Sequence, residues 1–215
     1  KFKRLNDVGD KFLSIGRNMG LVTLGLGAAF ISGAKKAIEL QNQYVKIKNL
    51  AVTGGEHSVE AQRNVNKMRQ QGVDLSLKYG VSQEKIGKGY EELIRRGYST
   101  NQTLATQKQF LQASIASGDD YTDVVHNATS AIESFGLKTN NSSKMAANTK
   151  TVLNQMAYAA DLTATDFNGM GEALKYVGAT AHNAHQSIAE TSSAIGILSN
   201  NGLDASQAGT GLRQV

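Results

Sequence analysis

The sequence predicts an all-α fold of serial short helices and helical hairpins. None of its 215 residues is a proline, so no ring clash or missing amide interrupts a helix. Apolar residues recur three and four positions apart along much of the chain, which is the period of one helix face. Between these segments stand glycines followed by Ser, Thr, Asn or Asp, the residue types that end one helix and cap the next.

Composition and charge exclude several kinds of site. Cysteine is absent, so the chain has no disulfide framework, thiolate nucleophile or cysteine-ligated metal. The net charge is +5, with basic residues concentrated in residues 1–50 and an acidic excess in residues 151–215. A basic end can attract an anionic membrane or nucleic acid, although solvated helix faces explain the same charges. Loose, sequence-independent contact with DNA is left open.

The first domain, residues 1–54, is predicted to hold a basic amphipathic helix and a glycine-rich apolar helix. Residues 2–16 carry the first, and residues 21–34 form the apolar run. This run is shorter than the roughly 20 residues that a helix needs to cross a bilayer. A packed or oligomerising helix, a segment that enters a membrane when released, and a linker are its three interpretations. The candidate membrane or packing residues are Leu21, Leu24, Gly25, Leu26, Gly27, Phe30 and Ile31.

The second domain, residues 55–215, is predicted to be a multi-helix region. After a surface helix that ends at Thr53, a helix over residues 56–79 is expected to kink or break near Gly72. Further breaks are expected at Gly80, Gly97, Gly118 and Gly136. The spacing between breaks along the whole chain varies from about 17 to 40 residues, which argues against a strict solenoid repeat. The apolar residues expected to pack include Val59, Leu77 and Ile115.

Residues 171–213 give the clearest pattern of helices and breaks. Ser187 and Glu190 have the spacing of a capping box, and an apolar stripe with a period of three or four follows them. Gly202 is expected to end that helix in a left-handed conformation, and Asp204 to cap the next. The candidate core or interaction residues are Tyr176, Val177, Gly178, Ile188, Ile195, Leu198, Gly202, Leu203, Gly209 and Leu212.

No arrangement of residues predicts catalysis. His182 and His185 lie three positions apart, but no Asp, Glu or Cys stands at a partnering spacing. Three aspartates at positions 119, 120 and 123 crowd a helix start, where the helix dipole favours negative charge. No nucleophile with an adjacent base can be recognised. We therefore expect no enzyme, no catalytic residue, no metal and no cofactor.

Residues 172–178, 187–198 and 201–213 together resemble the core of the phage tail tape measure proteins of long-tailed bacteriophages. The resemblance extends more weakly to the glycine-rich helix near residue 25. It implies a structural virion protein whose parent chain lies in the tail tube lumen, sets tail length while tube subunits polymerise around it, and leaves on DNA ejection. This segment would be a compact helical region near the tip rather than the long coiled-coil ruler.

The resemblance also implies partners and places. The partners are a few copies of the chain itself, the tail tube protein, tail-tip or baseplate proteins and tail assembly chaperones. The protein would be in the host cytoplasm during assembly, and ejection would bring it to the host membrane. Because Val215 falls inside an expected helix, we interpret the chain as a fragment of a longer polypeptide.

Two other classes of protein fit the same residues. One is a membrane-active, pore-forming helical protein built on residues 21–34, for which liposome leakage abolished by Leu26→Asp would be the sign. The other is a soluble helical assembly adaptor, which a genomic neighbourhood without tube and tip genes would favour.

Overall fold

The computed structural model describes residues 24–214, with side chains from Lys35 onward, and confirms an all-α fold over that range. The described residues form helices and turns without a strand. Many of the helices begin at a side chain that accepts a backbone amide, as Ser82, Ser99 and Asp166 do. The helices are α1 Leu24–Thr53, α2 Ser58–Tyr79, α3 Gln83–Arg95, α4 Thr100–Ser117, α5 Tyr121–Ser134, α6 Ser142–Asp161, α7 Phe167–Asn183, α8 Ile188–Asn200 and α9 Ala205–Arg213.

Contacts divide the chain into two units, Lys1–Asn42 and Gln43–Val215, and the boundary falls within α1. In the first unit the described side chains include Lys35 and Glu39, an exposed ion pair at 3.9 Å. Of the candidate membrane residues, Leu21 lies outside the described residues. For the other six only the backbone is described, and it is helical. Their proposed roles stay predictions.

Helices α2 to α9 stack in two layers. Helices α2, α4, α6 and α8 form layer A, and α3, α5, α7 and α9 form layer B. Neighbours in a layer run parallel: Asn64 near the start of α2 donates to Thr100 Oγ1 at 2.8 Å, and Gln112 near the end of α4 donates to the Tyr79 hydroxyl at 3.1 Å. Each A helix and the B helix after it thus form a hairpin, and the hairpins stack as in an α-solenoid.

The repeat is more regular than the sequence suggested. The N-caps of layer A are His57, Ser99, Asn141 and Ser187, at intervals of 42 residues (57 to 99), 42 (99 to 141) and 46 (141 to 187). The breaks taken one by one are too irregular for a strict solenoid repeat, as expected, but the starts of the layer A helices recur at nearly equal intervals. Along the chain, a break inside a hairpin is followed by a break between two hairpins. Consecutive helices therefore belong to different layers, and only every second helix start belongs to layer A.

One backbone turn recurs where layer B returns to layer A. After α3, the Gly97 amide donates to the Ile94 carbonyl at 2.9 Å and the Tyr98 amide donates to the Leu93 carbonyl at 3.0 Å. This pair of bonds is the Schellman motif, which places one residue in the left-handed region. Gly97 fills that place with φ 74° and Gly136 with φ 64°, whereas after α7 it is filled by His185 with φ 60°.

We expect His185→Gly to stabilise the protein by about 0.5–1 kcal/mol. A residue with a Cβ pays roughly 1–2 kcal/mol in the left-handed region, and the added flexibility of glycine in the unfolded chain offsets part of that gain. Urea unfolding monitored by circular dichroism measures the change. The matched control is Gly97→Ala, which should lower stability by a similar amount. A lower midpoint for His185→Gly would show that its side chain supports the turn.

The core lies between and within the layers, and most of the predicted stripes are in it. The confirmed positions, each 8% exposed or less, include Val124, Val125, Ala128, Ile132, Phe135, Met145, Val152, Leu153, Met156, Phe167, Met170 and Leu174. Val59, Leu77 and Ile115 were expected to pack but are 63%, 82% and 47% exposed. A helix in a two-layer stack buries the faces toward its partner and flanking helices, which leaves its outer face to solvent.

Of the kink or break expected near Gly72, the break is wrong, since α2 continues to Tyr79. A Cβ at position 72 would lie 2.6 Å from the Tyr44 hydroxyl, so glycine here admits a neighbouring ring. That hydroxyl donates to the Met68 carbonyl at 3.4 Å. Burial raises the pKa of Tyr44 to about 12, with the Arg69 charge acting in the opposite direction.

Candidate interaction surface

The predicted interaction motif divides into core and surface residues. Val177, Ile188 and Ile195 are buried, and Leu198 and Leu212 are half-buried. Gly202, with φ 91°, takes the expected left-handed conformation. Tyr176 and Leu203 are each 41% exposed. The buried members hold α7, α8 and α9 together, so only the exposed ones are available to a partner.

Two glycines of the motif allow close helix packing in layer B. A Cβ at Gly209 would lie 2.5 Å from the carbonyl oxygen and 2.8 Å from the Cα of Ala173 in α7. A Cβ at Gly178 would meet the Ser134 side chain at the end of α5. Sequence reasoning missed Gly89 and Gly171, which lie against Tyr121 and Asn127 in the same layer. No pattern in the sequence distinguishes these two glycines from the glycines that end helices.

The predicted helix start at Ser187 is confirmed in its details. The Ser187 amide donates to Glu190 Oε2 at 2.8 Å, and the Glu190 amide donates to Ser187 Oγ at 3.2 Å. The Ser187 hydroxyl and amide lower the pKa of Glu190. Asp204 stands at the predicted N-cap of α9, but its side chain makes no capping hydrogen bond.

The aspartates near residue 120 have structural tasks. Asp120 accepts the Thr122 amide at 2.8 Å and pairs with Lys85 of α3 at 3.4 Å. The Thr122 amide, and then Lys85, lower its pKa. Asp119 accepts a hydrogen bond from Asn168 of α7 at 2.8 Å. These carboxylates cap a helix and join consecutive hairpins.

The two histidines that the sequence places three positions apart lie at the end of α7 and in the turn after it. His182 and His185 are both exposed, and no group of three or more His, Cys, Asp or Glu side chains there is arranged to hold a metal ion. None of the helices between residues 24 and 214 is long and apolar enough to cross a membrane.

Ion pairs concentrate where layer B returns to layer A, which we call the B–A edge. Lys46 and Arg95 reach Glu91 at 2.7 and 2.9 Å, and Lys138 reaches Glu133 at 3.0 Å. Burial would raise the pKa of Glu91, but hydrogen bonds from its two cations lower it below the ordinary value. The Arg96 guanidinium contacts the His126 ring, and burial together with that charge lowers the pKa of His126.

Exposed apolar side chains concentrate at the opposite edge, where each A helix turns into its B helix. We call this the A–B edge. The last turn of every layer A helix carries one of them: Leu77 in α2, Ile115 in α4, Tyr158 in α6 and Ile197 in α8. Leu162 and Leu203 add two more in the turns, at 62% and 41% exposed. Sequence reasoning named Leu203 as a candidate but missed the row as a whole, because its four helical members belong to four different helices.

Comparison with known proteins identifies the chain's relatives. The profile of the family described as phage-related minor tail protein matches residues 69–215, more than half of the chain. The chain is also 28% identical over 207 residues to the tape measure protein of Pneumococcus phage Dp-1. The match covers 96% of this chain and 17% of that relative. No solved structure matches the chain.

Proposed function

Because the chain belongs to the phage-related minor tail protein family and is therefore part of a structural tail protein, we propose that it is a tape measure segment that helps to set tail length. The observation that carries the proposal is the similarity to a tape measure protein over 96% of the chain. On this proposal the parent protein lies in the tail tube lumen, the tube polymerises around it, and the protein leaves when DNA is ejected.

We propose a separate role for each of the two predicted domains and a set of partners for the chain. Residues 1–54 would be the basic, glycine-rich entry, and residues 55–215 the compact core near the tail tip. A few copies of the chain would associate, in contact with the tail tube protein and the tail-tip or baseplate proteins. Tail assembly chaperones would bind it earlier, in the host cytoplasm. Mass spectrometry and cryo-electron microscopy of particles from the source would test this, because absence from the tail lumen would overturn it.

The two-layer stack predicts how much length the core contributes. Neighbouring helices pack about 8–10 Å apart, so three extra copies of residues 99–140, inserted after Asn140, should lengthen the tail by about 30 Å. The same added residues in one continuous helix would span about 190 Å at about 1.5 Å per residue. Each inserted copy restores the native turn, since Ser99 takes the capping place of Asn141.

Mean tail length from electron micrographs measures the effect. The control inserts an unstructured Gly/Ser sequence of equal length at the same junction. This inserted sequence does not form packed helices. Lengthening near the larger value would show that the core is extended in the tail. An unchanged length for both insertions would remove the core from length determination.

We further propose that residues 21–34 enter the host membrane when the protein is released. The apolar, glycine-rich character of this run supports the proposal. The purified 215-residue chain should make liposomes leak, and Leu26→Asp should abolish the leakage. Lack of leakage from the unmodified chain would remove the membrane step and leave the tail-assembly role unaffected.

A further inference from the structure

The exposed apolar side chains of the A–B edge are concentrated rather than scattered. Among the described residues of the second unit, six of the large exposed hydrophobics lie at this edge, and Val45, Val52, Val59 and Tyr176 lie elsewhere. Leu77 is 82% exposed, Tyr158 65% and Ile197 61%. Isolated apolar side chains on a surface need no explanation, but contiguous ones mark interaction sites.

Contacts between successive hairpins make the edge continuous. Lys85 and Asp120 join the starts of α3 and α5 at 3.4 Å. The side chain of Asn200 at the end of α8 accepts the Ala164 amide at 2.7 Å, beside the end of α6. With helices about 8–10 Å apart, the row over four A helices is about 25–30 Å long, which equals about 18 residues of helix at about 1.5 Å per residue.

The same edge is acidic from α4 onward. Residues 114–124, 158–170 and 197–208 hold the last turns of α4, α6 and α8, the connections and the starts of the next B helices. They contain no lysine or arginine. Their six acidic residues are Asp119, Asp120, Asp123, Asp161, Asp166 and Asp204. Asp120 caps α5 and is paired with Lys85, and Asp166 caps α7. Asp161 and Asp204 are exposed and leave their charge beside the apolar row. The α2–α3 turn, at the Leu77 end of the row, carries Lys78, Lys85 and Lys88 instead.

We propose that the A–B edge binds an amphipathic helix of another polypeptide, whose apolar stripe is flanked by lysine or arginine. The apolar stripe would cover the row from Leu77 to Ile197, and the basic flanks would lie beside the aspartates. Such helix-in-groove recognition uses apolar anchors three or four residues apart, and charge complementarity selects the partner.

A pair of synthetic peptides tests the proposal on the 215-residue chain. Both are 18-residue amphipathic helices with leucines three and four apart; one has lysine flanks and the other glutamate flanks. Fluorescence anisotropy should show binding of the lysine peptide and at least tenfold weaker binding of the glutamate peptide. Salt should weaken the first interaction, because its charges are exposed.

Protein variants locate the binding. Tyr158→Ser combined with Leu162→Ser should weaken binding of the lysine peptide at least tenfold, and Asp161→Asn combined with Asp204→Asn should weaken it and reduce its salt dependence. All four side chains are exposed, so circular dichroism should show an unchanged fold. The matched control is Val59→Ser, an equally exposed apolar position in the first turn of α2, which should not alter binding.

Three results would overturn the proposal. Equal binding of the two peptides would show that charge complementarity does not select the partner. Equally weakened peptide binding by Val59→Ser would show that the peptide does not bind at the A–B edge. Sedimentation showing a dimer that Tyr158→Ser with Leu162→Ser dissociates would show that a second copy occupies the edge instead. Each result is independent of whether the protein is found in the tail.

Discussion

Ile195→Asp is expected to lower the free energy of unfolding by about 4 kcal/mol or more, whereas Ile197→Asp should change it by less than about 1 kcal/mol. The two isoleucines lie two positions apart in α8, but the first is 0% exposed and the second 61%. A carboxylate at position 195 would be removed from water, which is costly for a charged group. At position 197 it would remain in water.

Urea unfolding measures the global effect, and hydrogen exchange locates it. In a stack of hairpins each repeat depends mainly on its neighbours, so the loss of protection should be greatest in α7, α8 and α9. Lys144→Glu is a second control, because it places a carboxylate at an exposed position in the first turn of α6. Equal stability of Ile195→Asp and Ile197→Asp would show that α8 does not pack as described.

The helices themselves could be predicted because their signals are local. A capping box needs two residues three positions apart, and Ser187 with Glu190 supplies them. The stripe Ile188, Thr191 and Ile195 needs only the helix period, and all three residues are buried. The same local patterns gave an all-α fold and the left-handed Gly202.

The layers could not be predicted, because a layer joins helices that are not adjacent in sequence. Asn64 meets Thr100, and Asn127 donates to Asn168 at 2.9 Å, yet no local pattern pairs them. An apolar residue such as Leu77 also has the same chemistry in the core and on the A–B edge. Periodicity therefore assigned it to the core, although two-layer stacking leaves its face of α2 exposed.

The sequence also does not show which glycines lie against another helix, and the two glycines of α9 allow a test. Gly209 and Gly211 stand two positions apart in the Gly-Thr-Gly sequence of one short helix. At Gly209 a Cβ would meet the oxygen, Cα and carbonyl carbon of Ala173 at 2.5, 2.8 and 3.0 Å, whereas at Gly211 nothing lies within 4 Å. The sequence alone does not distinguish the two glycines, but their surroundings in the structure differ.

We expect Gly209→Ala to cost about 1–3 kcal/mol, the usual cost of overpacking, and to separate α9 from α7. The obstacle is backbone, so no side chain can rotate away to make room. Gly211→Ala should instead stabilise the helix by about 0.5–1 kcal/mol, because alanine loses less conformational entropy than glycine. Hydrogen exchange of the α9 amides should therefore become faster in the first variant and slower in the second. Faster exchange in both variants would mean that α9 needs flexibility at both glycines rather than close contact at one.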